Sequence, residues 1–135
     1  MAIQPNDLKL LADELASQGG ECKYRSAISR TYYSAYHYCL AELGTKQRAT
    51  IENVIASTHA ALISWYMDGT GAKTTVQTRN SRELAYTLNQ LRALRRTADY
   101  FLQAPVTKTD VTQCGSHWCI IVDLLPKSVD SAMKS

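Results

Sequence analysis

No stretch of this chain is apolar for long enough to cross a bilayer as a helix. Its opening, MAIQPNDLKLLADELASQ, carries acids and lacks the apolar core of a secretory signal, so a cytoplasmic protein is expected. Proline is scarce at three residues and glycine numbers only six, and most of both fall between periodic segments. The four cysteines (Cys22, Cys39, Cys114, Cys119) lack the spacing of a disulfide framework and fit a reducing compartment. There is no glycine-rich phosphate loop, no pair of catalytic carboxylates and no nucleophile elbow. Those absences set aside P-loop, two-carboxylate and serine-hydrolase chemistry. The formal net charge of +3 permits an anionic partner without demanding one.

What is present is helical periodicity. Pro5-Asn6-Asp7 opens a first helix with Leu8, Leu11, Ala12 and Leu15 on one stripe, closed by SQGG at 17–20. A second runs from about Glu21 to Leu43 with Ile28, Tyr32, Ala35, Cys39 and Leu43 inward. A third is predicted from about Thr50 to Tyr66, with Ile51, Val54, Ile55, Thr58, Leu62 and Tyr66 on one side. A polar loop over 67–78 follows, the longest gap in the pattern. The fourth helix spans about Ser81 to Leu102, turning Leu84, Leu88, Leu91, Ala98 and Leu102 inward and leaving Arg92, Arg95, Arg96 and Asp99 outside or alongside. The last begins near Thr109 with Asp110 as a capping residue, and Pro126 should interrupt it. No stretch reads as a strand. The fold expected is all-α: one domain over 1–135, an antiparallel up-and-down bundle of four to five helices.

CGSHWC at 114–119 brings Cys114, His117 and Cys119 together, one ligand short of a zinc site, and the cysteines read as small core residues. No metal or other cofactor is implied. Arg79, Arg82, Arg92, Arg95 and Arg96 make the fourth helix the most basic region; it reads as a solvated face or, more sharply, as a surface tracking an RNA backbone. Arg95 and Asp99 have the spacing of a helix ion pair that would clasp the fourth helix to the second. His59 reads as a hydrogen-bonded bundle histidine, with a second site group beside Arg95 as the alternative.

The segment AISRTYYSAYHYC, residues 27–39, holds Arg30 and His37 seven residues apart on one helix face, with Tyr33 and Ser34 between them. Such a set suits a phosphodiester. A neutral imidazole takes the proton of a 2′-hydroxyl and its protonated form supplies the leaving oxygen. A guanidinium holds the phosphate and the charge that develops on it, and tyrosine stacks or donates. The two Cα atoms are roughly 10 Å apart along the axis, so a two-fold dimer is needed to gather both groups in one cleft. The same two residues read equally as a partly buried histidine and an arginine paired to a neighbouring helix. Spacing alone leaves both readings open.

SAISRTYYSAYHYCLAEL resembles the second helix of small stand-alone HEPN-domain proteins. STHAALISWY (57–66) resembles that family's Ser-x-His block, and LNQLRALRRTADY (88–100) its Arg-x-x-Ala-Asp-Tyr block. The likeness covers roughly 5–125. It implies a homodimeric helical bundle that acts on RNA as a metal-independent endoribonuclease, a toxin or anti-phage defence effector, with an Arg-x6-His pair at the dimer cleft. Under it Arg30, His37 and Tyr33 are catalytic, and Ser34, His59, Arg95 and Arg96 contribute to binding. In many members the signature lies on a later helix than the one carrying Arg30 and His37. Other members are non-catalytic binding or partner modules, antitoxin-like or acting beside a nucleotidyltransferase.

Overall fold

A computed structural model describes residues 3–54 and 57–134. Among them there are six α-helices and no strand: α1 (Pro5–Gln18), α2 (Glu21–Ala41), α3 (Thr45–Glu52), α4 (Thr58–Met67), α5 (Thr75–Tyr100) and α6 (Lys108–Leu124). Two short 3-10 turns, Leu125–Lys127 and Ser131–Lys134, follow. The all-α bundle expected from periodicity is what forms, with one helix more than expected. None of the described helices is long and apolar enough to cross a membrane.

α1 starts as expected at Pro5, whose missing N–H costs nothing in a first turn. It stops at Gly19 and Gly20, which take φ values of 78° and 103° that other residues resist. The reversal is tight enough to lay α1 back along α2: the Pro5 carbonyl, at the start of α1, accepts from Ser34 Oγ far along α2 at 2.7 Å. α2 is the central rod, packed against α1, α4, α5 and α6. Its stripe of Ile28, Tyr32, Ala35, Cys39 and Leu43 is buried as the spacing implied.

The helix predicted over Thr50–Tyr66 is two helices. α3 ends at Asn53, and Ser57 restarts the chain as an N-cap, its hydroxyl accepting from the Ala60 N–H at 3.2 Å. Apolar spacing carried across the break and concealed it. Val54 is exposed, and Ile55 lies outside the described residues.

α5 begins earlier than Ser81. Thr74 and Gln77 form a reciprocal capping box that the polar composition of 67–78 disguised as loop. The loop proper is 68–74, and its Gly71 is a packing position: a Cβ there would lie 2.3 Å from the Trp65 ring. The helix ends before Leu102, which is exposed rather than inward. α6 opens on a capping box between Thr107 and Asp110, so Asp110 caps from the third helical position and not from the N-cap. Pro126 interrupts as expected, in the Leu125–Lys127 turn. Cys39 and Cys114 are core residues, but Cys119 is exposed, which corrects the reading of the 114–119 cysteines as core, and Cys22 is exposed as well.

Sequence reading missed the residue that fixes the register of α2 on α5. Arg25 is buried, and its guanidinium donates to the carbonyls of Thr97, Ala98, Phe101, Leu102 and Ala104 around the end of α5; of these, Thr97 and Phe101 also accept backbone N–H groups, from Phe101 and Ala104. Glu21, 3.8 Å from its Nε, accepts from the Val106 N–H and ties the following loop to the same point. Charge-assisted bonds of this kind are individually strong, and unpaired carbonyls are costly. Replacing Arg25 with methionine keeps the apolar stem and removes every donor. The expected cost is about 3 kcal/mol in urea unfolding, with lysine recovering only part of it. A loss below about 0.5 kcal/mol would show that the carbonyls are satisfied without the guanidinium.

Candidate functional site

Three of the site residues predicted on α2 reach different surroundings. Arg30 is exposed and has no ion-pair partner among the described residues. His37 is also exposed, and it borders a cavity of about 270 Å³ lined by Ile3, Gln4, Pro5, Leu8, Ala41 and Arg48. Arg30 is not part of that lining. Ser34 is fully buried: it donates to the Pro5 carbonyl and accepts from Trp118 Nε1 at 2.9 Å, so its hydroxyl joins α1, α2 and α6.

The cation beside His37 comes from α3. Arg48 is placed by the turn at Gly44 that starts α3, and its Nε donates to Glu52 Oε1 at 3.2 Å. Partial burial, and then the Arg48 charge, hold the His37 imidazole below its ordinary value of 6.5, so it is neutral at pH 7. Arg48 was not foreseen, because it falls between the helix expected to end near Leu43 and the one expected to begin near Thr50, where α3 forms.

From His37 a run of rings leads inward. Tyr36 lies edge-on to His37 at 5.2 Å and 4.4 Å from the His59 ring on its other side. His59, in the first turn of α4, sits 5.6 Å from Tyr32 and 6.0 Å from Tyr33. The Tyr32 hydroxyl meets His59 Nδ1 at 2.6 Å. Burial pushes the Tyr32 phenol far above its ordinary value, outweighing Arg92 and Arg95, so it keeps its proton and donates. Nδ1 is therefore the acceptor and Nε2 carries the imidazole proton. His59 thus makes the bundle hydrogen bond expected of it and also lies beside Arg95, as its alternative reading required.

Arg95 is not outside or alongside the bundle. It is 6% exposed, with its guanidinium 5.1 Å from the Tyr32 ring and 5.6 Å from that of Tyr33. The tyrosine faces and Asp99, 3.5 Å from Nη1, compensate the charge, and Asp99 also accepts from Ser29 Oγ at 3.3 Å. The clasp from α5 to α2 therefore exists, through Ser29 and the tyrosines. Arg96, Arg79 and Arg82 remain on the exposed side. Tyr33 belongs with Arg95 and His59 more than with Arg30. Among the described residues no group of three or more His, Cys, Asp or Glu is placed to hold a metal ion, and Cys114 faces the core while Cys119 is exposed.

No family model, curated protein or solved structure matches the chain.

All three histidines are held below 6.5, each first by burial, with arginines adding to the effect at His37 and His59. A histidine whose folded value is depressed contributes stability that is complete above the unfolded value and lost as pH falls through the folded one. The urea midpoint is therefore expected to drop as pH is lowered from about 6.5 to 5. The imidazole proton resonances should titrate with midpoints below about 6.5. Midpoints at or above that value would remove the electrostatic picture of His37 and His59.

Proposed function

We propose that the chain is a metal-independent endoribonuclease working as a homodimer on a HEPN-like bundle, in keeping with a cytoplasmic toxin or defence effector. The observation that carries this reading is His37: a solvent-open imidazole, neutral at pH 7, at the mouth of a cavity with the Arg48 guanidinium on its wall. A neutral imidazole so placed can take the 2′-hydroxyl proton of an RNA strand. The freed alkoxide attacks the adjacent phosphorus, the 5′-oxygen leaves, and the imidazolium returns its proton to that oxygen. The products are a 2′,3′-cyclic phosphate and a 5′-hydroxyl.

Arg30, exposed and without a described ion-pair partner, is free to meet a second copy and clamp the phosphate there. The sequence likeness to HEPN proteins points to the same pair.

A second reading is favoured by one feature. Within a single subunit Arg30 does not line the His37 cavity, and a chain that never brings the two together would bind RNA, an antitoxin or a nucleotidyltransferase partner without cutting.

Incubating the purified protein with RNA in EDTA separates the two. Cleavage to cyclic-phosphate ends is expected, falling by about 100-fold or more in His37→Ala, comparably in Arg30→Ala, and declining as pH drops below about 6.5. Growth arrest on expression should follow the same pattern. Equal cleavage by the native protein and His37→Ala, or RNA binding with no cleavage by either, would leave the binding module as the function.

A further inference from the structure

Among the described residues, two neighbouring arginines with unanswered buried donors lie apart from the His37 cavity. Arg92 and Arg95 are one turn apart on α5; Arg95 lies against the tyrosines of α2, and both charges act on the Tyr32 phenol and the His59 imidazole. The Nε atoms of both arginines are buried and have no hydrogen-bond partner. Arg95 is more than nine-tenths buried, and its only ion pair among the described residues is the 3.5 Å contact with Asp99, whose same oxygen also accepts from Ser29. The rings of Tyr32, Tyr33 and Tyr100 lie 5.1, 5.6 and 5.8 Å from the Arg95 guanidinium carbon. Such contacts engage the cation through ring faces and give its N–H groups no acceptor. His59 adds another donor, because Nδ1 is already taken by the Tyr32 hydroxyl. Two permanent positive charges and an imidazole N–H thus stand against one shared carboxylate.

An arrangement with donors in excess and acceptors missing is complementary to an oxyanion. Buried polar groups go unpaired only at a cost, and a bidentate guanidinium contact to phosphate would remove it. Arg92, Tyr33 and His59 are only half-buried, so a ligand can reach the cluster from solvent. The same rim carries accessible aromatic surface: Tyr100 is exposed beside Arg95, and half-buried Tyr33 meets His59 edge-on. Phosphate donors beside stacking surfaces fit a nucleotide better than inorganic phosphate alone.

We propose that Arg92, Arg95, His59 and Tyr33 form a binding site for the phosphate group of a nucleotide, free or within RNA. The site is separate from His37, and binding there requires no cleavage.

Calorimetric titration of the full chain tests this, with a purine nucleoside monophosphate, the matching unphosphorylated nucleoside, and a short 2′-O-methylated oligonucleotide lacking terminal phosphates, all at one ionic strength. The monophosphate, the oligonucleotide or both should bind, and the nucleoside should not. Binding of the monophosphate assigns the site to free or terminal phosphates; binding of the oligonucleotide alone assigns it to the RNA backbone. In either case Arg92→Gln should weaken affinity by at least about tenfold, a change of about 1.4 kcal/mol, while its circular dichroism matches the native protein. Neither phosphate-bearing ligand can be cut, since the monophosphate has no internucleotide bond and the oligonucleotide has no free 2′-hydroxyl, which keeps this result independent of the nuclease reading. Arg95→Gln should abolish binding if it folds, and Arg92→Gln decides if it does not. Failure of both phosphate-bearing ligands, equal binding of the nucleoside, or unchanged affinity in Arg92→Gln would overturn the proposal.

Discussion

A guanidinium set among the last carbonyls of α5 fixes how the two longest helices lie on each other. Arg25 reaches from the first turns of α2 to the end of α5, and every later contact between the two rods follows from that anchor. Ser29 then falls opposite Asp99 and Tyr32 opposite Arg95. A shift of one turn along either helix would carry these side chains about 5 Å out of register. The anchor works because a helix end is chemically unfinished: its carbonyls demand donors, and arginine supplies several in one plane.

Downstream of that anchor, α2 separates two kinds of polar surrounding. On one side His37 is open to solvent beside a cavity, and the cation on that cavity's wall, Arg48, is itself tied to Glu52. On the other, Arg95 is packed among aromatic rings, and His59 is locked into one tautomer by a phenol too buried to ionise. Tyr36 lies between the two imidazoles and touches both. Chemistry that needs proton exchange with water suits the first; recognition that needs fixed donors suits the second.

The sequence revealed most where one physical rule acted alone. The α2 stripe from Ile28 to Leu43 was legible because spacing and burial agree, and Pro5 and Pro126 punctuate where proline must. It failed where two rules gave the same letters. Apolar spacing ran unbroken across the gap between α3 and α4, since Ile51 and Leu62 both face the core from different helices. Threonine and glutamine over 74–77 read as loop, although together they make the cap that begins α5. At the candidate site, Arg30 and His37 were visible as a pair on one face, but not that Arg48 would be the guanidinium bordering the His37 cavity. Arg95 read as outside or alongside the stripe and Arg25 drew no reading, because burial of arginine depends on what a distant helix presents. Spacing along one segment carries no information about that.

Gly71 bears on how this chain can drift. It lies in the most polar connection of the molecule, where exchange of residues would ordinarily be free. Yet the indole of Trp65 covers it at a distance that admits no side-chain carbon, and its carbonyl accepts from the Asp130 N–H at 2.8 Å, tying the connection to the C-terminal turns. Relatives should therefore vary on both sides of this position while holding it to hydrogen, unless the tryptophan shrinks at the same time. The two sites would then change together or not at all.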